Sequence, residues 1–172
     1  HQARIKMLDR IKRNIVNKAI EENLDGLVRF AFFRLKDRSM AEDTVHEAVV
    51  RLLDHSSSLL APGSVKAYLY RIVYNLCQDT FRTSGRNLPL NSVEETAFEE
   101  NERLDREEAE RINRLFDRLP QKESEVIRMN VIDELSFAEI SRILSVPVST
   151  IKSRYKSGMD KLRQSYSTNK MS

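Results

Sequence analysis

A short basic segment near the C-terminus combines small hydroxyl side chains with cations, a combination that suits contact with DNA. If residues 149–162 form a helix with about 100° between successive residues, Ile151, Tyr155 and Leu162 make an apolar stripe opposite Ser153. The polar side chains around and beside Ser153 are Ser149, Thr150, Lys152, Arg154, Lys156 and Ser157. Short side chains allow close approach to base edges, and flanking cations can meet phosphates on either wall of a major groove. We therefore predict that this helix enters the major groove.

The residues before this segment predict a second, shorter helix and a tight turn. Ser136 and Glu139 have the spacing of a capping box, which indicates that a helix begins there. The turn is Ser145-Val146-Pro147. The inner face of the short helix consists of Phe137, Ile140, Ile143 and Leu144. Two helices joined in this way have the helix-turn-helix layout.

An ordinary helical hairpin with a solvated basic face is the competing interpretation of this segment. Residues 142–170 contain seven basic residues and one acidic residue, Asp160, and this imbalance favours DNA binding. Two features are atypical. Ser145 occupies a turn position where Gly is common. Gly158 lies inside the second helix, where glycine lowers helix stability.

A long helix earlier in the chain is predicted from Val65 to Thr83, and it has an unusual polar edge. It has an apolar stripe of Val65, Leu69, Ile72, Val73 and Leu76, and a second apolar face of Tyr70, Tyr74, Cys77 and Phe81. We interpret both faces as core, because a helix that is apolar on two sides is mostly buried. Between them lies a narrow polar edge of Arg71, Asn75, Gln78 and Arg82, with Tyr68 beside it. Core packing does not explain this edge.

The helix before that one carries exposed acidic residues. Ser39 and Glu42 have capping-box spacing and predict its start, and its end is expected near Asp54. Asp43 and Glu47 are four residues apart, so they share a face that could meet basic residues of a partner protein.

Composition and charge predict an all-α chain of two small domains. The 172 residues contain only 4 glycines and 4 prolines, too few for the turns of a β-rich fold, and no strand pattern is evident. Helical periodicity begins with the stripe Ile5, Leu8, Ile11, Ile15 and Ala19.

Net charge is +5 over residues 1–90, −5 over 91–120 and +3 over 121–172. We predict an N-terminal domain at 1–90, a flexible acidic linker at 91–110 and a C-terminal domain at 111–172. Within these domains, residues 55–64 are expected to form a loop and Gln121–Ile132 a helix that Pro120 opens.

Several classes of protein are excluded by what the sequence lacks. Cys77 is the single cysteine, so no internal disulfide can form, and a reducing cytoplasm is the expected location. No apolar run approaches membrane-span length and no secretory signal is evident, so membrane insertion is not expected. The three histidines, His1, His46 and His55, lack metal-ligand spacing. No phosphate-binding glycine loop or nucleophile–base set is present, so we expect neither a cofactor nor an enzyme.

Three segments resemble bacterial RNA polymerase sigma factors of the extracytoplasmic-function (ECF) class. The C-terminal segment "LPQKESEVIRMNVIDELSFAEISRILSVPVSTIKSRYKSGMDKLR" is similar to the promoter −35-binding domain of that family. "AEDTVHEAVVRLL" resembles the family's "AEDLVQETFLRLW", and "VKAYLYRIVYNLCQDTFR" resembles "FRAWLYRIARNLALDHLR". The three motifs occur in the family's order. Ser157-Gly158 stands where Arg-Ala is typical, which predicts weaker cationic contact with DNA.

The resemblance implies a promoter-specificity subunit that works with core RNA polymerase and promoter DNA. The polar edge of Tyr68, Arg71, Asn75 and Arg82 would then engage the −10 element as it melts, since an amide can meet a base edge and cations can hold phosphates. Asp43 and Glu47 would contact the clamp helices of the polymerase largest subunit, and the flap would be a further contact. Many relatives are inhibited by an anti-sigma factor, which is a possible further partner.

Two other functions remain open on sequence grounds. A free-standing helix-turn-helix regulator would bind duplex DNA tightly and specifically without polymerase. An adaptor whose basic helices bind an acidic protein would support no promoter-dependent transcription. The N-terminal motif match favours the sigma factor over both.

Overall fold

The protein is built from helices arranged in two units. The structure is a computed structural model that describes residues 1–55, 62–83 and 103–171. The helices are α1 Gln2–Leu35, α2 Arg38–Asp54, α3 Pro62–Thr83, α4 Arg103–Asp117, α5 Gln121–Ile127, α6 Phe137–Leu144 and α7 Val148–Met171, with a π-helical turn at Arg128–Ile132. The chain divides into compact units at residues 1–93 and 94–172. The predicted all-α class is confirmed.

Helices α1 to α3 form the first unit around one apolar core. Each helix packs against the other two. Their buried residues have helical spacing and include Val16, Ala19, Leu27, Ala31 and Leu35 on α1, Ala41, Val45, Ala48 and Leu52 on α2, and Val65, Leu69, Val73 and Cys77 on α3. A Cβ atom on Gly26 would lie 2.7 Å from Tyr70 Oη, so glycine permits α3 to approach α1 at this point.

The first three residues of the apolar stripe predicted on α1 lie outside this core, whereas Ile15 is half-buried and Ala19 is buried. Ile5, Leu8 and Ile11 are 48%, 54% and 46% exposed, and burial begins at Val16. The whole stripe is helical, as its periodicity indicates, but neither α2 nor α3 covers its first three residues.

The junction between α1 and α2 corrects one sequence prediction. Lys36 adopts the left-handed conformation, with φ 58°, and ends α1. Asp37, rather than Ser39, is the N-cap of α2, and its side chain accepts a hydrogen bond from the Met40 N–H at 2.9 Å. The predicted Ser39–Glu42 capping box is therefore wrong. Glu42 instead pairs with Arg38, one turn earlier.

The predicted boundaries of α3 and of the linker also need adjustment. Helix α3 begins at Pro62, so residues 62–64 are helical and not part of the predicted 55–64 loop. Helix α4 begins at Arg103, inside the predicted 91–110 linker. Residues 56–61 and 84–102 lie outside the described residues, and so does the remainder of both predictions.

Helices α4 to α7 form the second unit. Its core is made of Phe116, Val126, Ile127, Met129, Leu135, Ile140, Ile143 and Ile151. The helix predicted at Gln121–Ile132 is α-helical only to Ile127, and a π-helical turn completes it. Pro120 is the N-cap residue and not the first helical residue. Within the three described stretches of the chain, no helix is long and apolar enough to cross a membrane.

Candidate nucleic-acid interface

The turn between α6 and α7 has the hydrogen bonds of a tight helix-turn-helix. The capping box at the start of α6 is confirmed, with Ser136 N to Glu139 Oε1 at 3.0 Å and Glu139 N to Ser136 Oγ at 3.1 Å. Ser145 ends α6 in the left-handed conformation, with φ 56°, which explains why glycine is common at this position. Its N–H and that of Val146 both donate to the Ser141 carbonyl. The Ser141 hydroxyl donates to the Val146 carbonyl at 2.5 Å, so both the carbonyl and the hydroxyl of Ser141 stabilise the turn.

Packing of α6 against α7 determines which side of α7 faces solvent. Ile140, Ile143 and Ile151 are almost completely buried. The rings of Phe137 and Tyr155 meet edge to face, with 5.1 Å between their centroids. Because Ile151 and Tyr155 face α6, the opposite side of α7 remains open to solvent.

The structure places the six residues predicted to bind DNA on or beside this open side. Four of them, Ser149, Lys152, Ser153 and Lys156, are exposed, whereas Thr150 and Arg154 are half-buried at the border. Helix α7 begins directly after Pro147, whose carbonyl accepts the N–H groups of Thr150 and Ile151. The described part of the second unit thus presents hydroxyls and amines together on the first turns of one helix.

Ser157 departs from the sequence prediction because its hydroxyl is committed to a tertiary contact. It donates to Glu123 Oε1 of α5 at 2.6 Å, and Lys161 Nζ bonds both oxygens of the same carboxylate at 2.9 and 3.0 Å. Hydrogen bonds from Ser157 and then Lys161 lower the pKa of Glu123 below its ordinary value. The role of Glu123 has no signal in the sequence, although the unusual Ser157-Gly158 pair marks the place where Glu123 meets α7.

Gly158 has a packing role that offsets its cost in helix stability. A Cβ atom at Gly158 would lie 2.5 Å from Ile127 Cδ1 and 3.2 Å from Glu123 Cβ. The absence of a side chain therefore allows α5 to lie directly against α7. This close approach brings Glu123 within hydrogen-bonding distance of Ser157.

Arg128 is a cation that the fold uses internally. Its guanidinium lies 4.6 Å from the centre of the Phe116 ring, and its Nη2 donates to Asn113 Oδ1 at 2.9 Å. Burial lowers the pKa of Arg128, while nearby Asp117 and Asp133 oppose that shift. Arg128 links α4 to the π-helical turn and therefore belongs to the core of the second unit rather than to a DNA-facing surface.

An open apolar groove runs between α4 and α7 in the second unit. Its lining includes Ile112, Leu115, Phe116, Leu162 and Tyr166. Tyr166 is 65% exposed and Ile112 is 39% exposed, so the groove can receive an apolar side chain of a partner.

The polar edge predicted on α3 is exposed in the first unit. Arg71, Asn75 and Arg82 are exposed and Tyr68 is half-buried. Arg82 pairs with Asp79, and Gln78 Nε2 donates to Tyr74 Oη at 3.1 Å. Within the described residues, Arg71 and Asn75 make no hydrogen bond or ion pair, so both groups are open to a ligand.

The second apolar face of α3 is core only in part: Tyr70 and Cys77 are buried, as interpreted from the sequence, whereas Tyr74 and Phe81 are half-buried. Tyr70 is 2% exposed and meets Phe30 edge to face at 5.2 Å. The Arg34 guanidinium lies 4.6 Å from the centre of the Tyr74 ring. Burial raises the pKa of the Cys77 thiol to about 11, against a smaller opposing effect of Arg34. Cys77 is therefore protonated at neutral pH and unsuited to nucleophilic chemistry.

The two acidic residues singled out on α2 are both exposed. Asp43 lies on the outer face of the helix, and Glu47 Oε1 accepts a hydrogen bond from Arg51 Nε at 3.0 Å. Such an exposed pair can exchange Arg51 for a cation of a partner at little cost. Among the residues that the structure describes, no cluster of three His, Cys, Asp or Glu side chains could hold a metal ion.

Two family models match the two units in turn. Sigma-70 region 2 matches residues 19–87, which cover most of the first unit. Sigma-70 region 4 matches residues 109–162, which contain the helix-turn-helix.

Curated relatives carry the same family name. The ECF RNA polymerase sigma factor SigW of Bacillus subtilis is 27% identical in an alignment of 175 positions that covers 94% of each chain. SigZ of the same organism is 29% identical and covers 76% of this chain and 75% of its own. The ECF sigma-E factor of Escherichia coli is 28% identical in an alignment of 126 positions that covers 65% of this chain and 66% of that one.

Solved structures share the fold. The sigma factor RpoE of Bartonella quintana, crystallised with the anti-sigma factor NepR, gives a TM-score of 0.62 at 18% identity and covers 86% of this chain and 94% of its own. CnrH in complex with the cytosolic domain of CnrY gives 0.61 at 20% identity and covers 89% and 88%. The chain belongs to the sigma-70 family, in its ECF class, and directs promoter-specific transcription initiation by bacterial RNA polymerase.

Proposed function

We propose that the two domains divide promoter recognition between them. Residues 1–90 contact core polymerase and the −10 element, residues 91–110 connect the domains, and residues 111–172 bind the −35 element. The order of the region 2 and region 4 matches along the chain supports this division.

The exposed side of α7 is the −35-binding surface in this proposal. The observation that carries it is the burial of Ile151 against α6 while Lys152 and Ser153 remain exposed on the other side. Ser153 lies at the centre, where a base edge would be, and Lys152 lies on a flank, where a phosphate would be. The surrounding contacts come from Ser149, Thr150, Arg154 and Lys156.

The polar edge of α3 is the −10-binding surface. Asn75 supplies an amide for the edge of an unstacked base, and Arg71 and Arg82 supply charge for the backbone. Tyr68 offers a ring surface beside them. The exposure of Asn75 and its lack of a partner among the described residues support this assignment.

Protein partners bind separate surfaces. Asp43 and Glu47 contact the clamp helices of the polymerase largest subunit, and the groove between α4 and α7 receives the flap. An anti-sigma factor is a further partner, by analogy with the complex of RpoE and the anti-sigma factor NepR. The protein acts in the cytoplasm, without a cofactor and without catalytic activity of its own.

Two alanine variants test the orientation of α7. Removing the phosphate contact of Lys152 weakens binding to all sequences. It also reduces the magnitude of the slope of log affinity against log salt, here called the salt slope, by about 0.9. Removing the base contact of Ser153 changes the ranking of −35 variants and leaves that slope nearly unchanged. Binding of holoenzyme to −35 variants over a salt series measures both quantities. If Ser153→Ala alters the slope and preserves the ranking, α7 meets the groove with a different side.

A further inference from the structure

A carboxylate of α5 holds α7 along one edge of its exposed side. Glu123 lies in the first turn of α5, and its side chain is 13% exposed. Its Oε1 accepts from the Ser157 hydroxyl at 2.6 Å and from Lys161 Nζ at 2.9 Å, and its Oε2 accepts from Lys161 Nζ at 3.0 Å. Both donors belong to α7 and are four residues apart. One carboxylate therefore bonds two side chains of α7 that are about one helical turn apart.

The packing beside this carboxylate fixes the distance between the two helices. Gly158 lies next to Ser157 in the chain, and a Cβ atom there would overlap Ile127 of α5. Ile127 is 1% exposed, so it has little freedom to move aside. Core packing of the second unit thus keeps α5 and α7 close enough for the Glu123 hydrogen bonds to form.

The place where Glu123 holds α7 makes it relevant to base recognition. Ser157 follows Ser153 by four residues, so the two side chains lie about 40° apart around the helix. Apolar contacts such as those of Ile151 are non-directional, whereas hydrogen bonds have defined geometry. Apolar packing alone would leave α7 some freedom to rotate, and the bonds to Glu123 restrict that rotation at the edge of the DNA-facing side.

We propose that Glu123 is a positioning residue for −35 recognition. By holding Ser157 and Lys161, it fixes the rotation of α7 and so determines which base edges Ser153 meets. It also engages the charge of Lys161, which would otherwise be available to a phosphate. This inference rests on the proposed −35-binding role of α7.

Loss of the carboxylate has two opposite effects under this proposal. Glu123→Ala releases the rotation of α7, so the preference for the best −35 sequence over single mismatches falls about five- to tenfold, within the range that one base contact supplies. The same change frees Lys161, so the salt slope rises by up to about 0.9. General destabilisation of the domain would lower specific and non-specific binding together and would not raise the slope.

Asp160→Asn provides a matched control for charge. Asp160 is an exposed carboxylate of α7 whose described ion pair is with Arg163, at 3.6 Å within the helix. Its replacement changes the net charge by the same amount as Glu123→Ala without touching α5. We expect it to preserve the −35 preference of the wild type.

Two milder variants keep the test decisive if Glu123→Ala folds poorly. Glu123→Gln retains an acceptor for Ser157 but lacks the charge that pairs with Lys161, so it should restore most of the −35 preference and keep the raised slope. Ser157→Ala removes one bond and keeps the ion pair, so it should lower the preference without raising the slope.

The experiment measures binding of reconstituted holoenzyme to a best −35 sequence, selected from a randomised library, and to its single mismatches over a salt series. A wild-type preference in Glu123→Ala and in Ser157→Ala would overturn the inference. Loss of preference in Asp160→Asn would overturn it as well, because net charge would then explain the effect. If Lys152→Ala and Ser153→Ala also leave binding unchanged, the proposed −35 surface itself is wrong; if they act as predicted while the Glu123 variants do not, only the positioning role fails.

Discussion

The polar sides of α3 and α7 differ in how the fold uses their hydrogen-bonding groups. On α3, the described bonds of the polar edge are local: Gln78 to Tyr74 and Arg82 to Asp79, both within one turn. On α7, Ser157 and Lys161 bond Glu123, which lies 34 and 38 residues away in the chain. The rotation of α3 is determined by apolar burial on two sides, whereas that of α7 depends also on a directional polar contact.

This difference separates residues that serve binding from residues that serve the fold. Exposed polar groups of the first unit, such as Asn75 and Asp43, hold no other helix in place, so replacing them should change binding and leave stability nearly unaltered. In the second unit, the contact between α5 and α7 contributes both to DNA binding, as proposed, and to the stability of the fold. Four changes test this contrast.

Reversing the charges on α2 should have the largest effect. In the variant Asp43→Lys with Glu47→Lys, two cations would face the basic surface expected on the polymerase clamp, and like charges at an interface cost several kcal/mol. We expect affinity for core polymerase to fall at least about 100-fold. The fold should lose less than about 1 kcal/mol, because the Glu47–Arg51 pair is exposed.

The variant Glu21→Lys with Asp25→Lys is a matched control for this prediction. It reverses two exposed charges of the same spacing on α1. Competition binding to core polymerase compares the two variants. Equal loss of affinity in both would show that net charge, and not the surface of α2, determines association.

Asn75→Ala should impair promoter opening more than promoter docking. Loss of one base-edge contact corresponds to about 1–3 kcal/mol, and the melting temperature should stay close to that of the wild type because the amide is exposed. Permanganate footprinting on duplex and pre-melted templates measures opening. Gln78→Ala, which removes an amide already bonded to Tyr74, is the control on the same edge. A lowered melting temperature with an equal defect on both templates would assign Asn75 to the fold.

Gly158→Val should destabilise the second unit by about 1–3 kcal/mol, because the added side chain would overlap buried Ile127. Gln164→Val places the same side chain at an exposed position of α7 and should have little effect. Hydrogen exchange of amides in α5 and α7 localises the loss. Unchanged protection in Gly158→Val would mean that the added side chain fits between α5 and α7 without loss of packing, which would contradict the packing role of Gly158.

Acid should weaken the contact between α5 and α7, and this effect should be the smallest of the four. The folded pKa of Glu123 is lowered, so its carboxylate stabilises the second unit above the ordinary carboxyl pKa of about 4.3, and this contribution is lost as pH falls below that value. Hydrogen exchange in α5 and α7 over a pH series follows the loss. Glu123→Gln should remove this part of the pH dependence. An identical profile in wild type and Glu123→Gln would contradict it.

Local signals in the sequence predicted much of the molecule. The capping box at Ser136, the apolar spacing of α6 and the turn at Ser145 each depend on a few neighbouring residues, and together they identified the helix-turn-helix. The buried and polar sides of α3 were likewise evident from periodicity, because a helix repeats its face every three to four residues.

Contacts between distant residues were not predictable in the same way. The spacing of Glu123 and Ser157 in the chain carries no signal of their contact, and the sequence shows the cost of Gly158 in helix stability but not its packing against Ile127. The start of α2 was mistaken because Asp37 and Ser39 are both good N-cap residues and only the backbone distinguishes them. The π-helical turn after Ile127 departs from the α-helix predicted there, because apolar periodicity does not distinguish the two kinds of helix over one turn.

The central claim is that this protein confers promoter specificity on core RNA polymerase. The most direct test is pull-down of core polymerase with the full chain, followed by run-off transcription in vitro on a promoter selected with the same holoenzyme. We predict that the chain retains core polymerase and that a promoter-dependent transcript forms only when both are present. Tight, sequence-specific binding of the chain alone to duplex DNA, with no transcript when core polymerase is added, would contradict the claim.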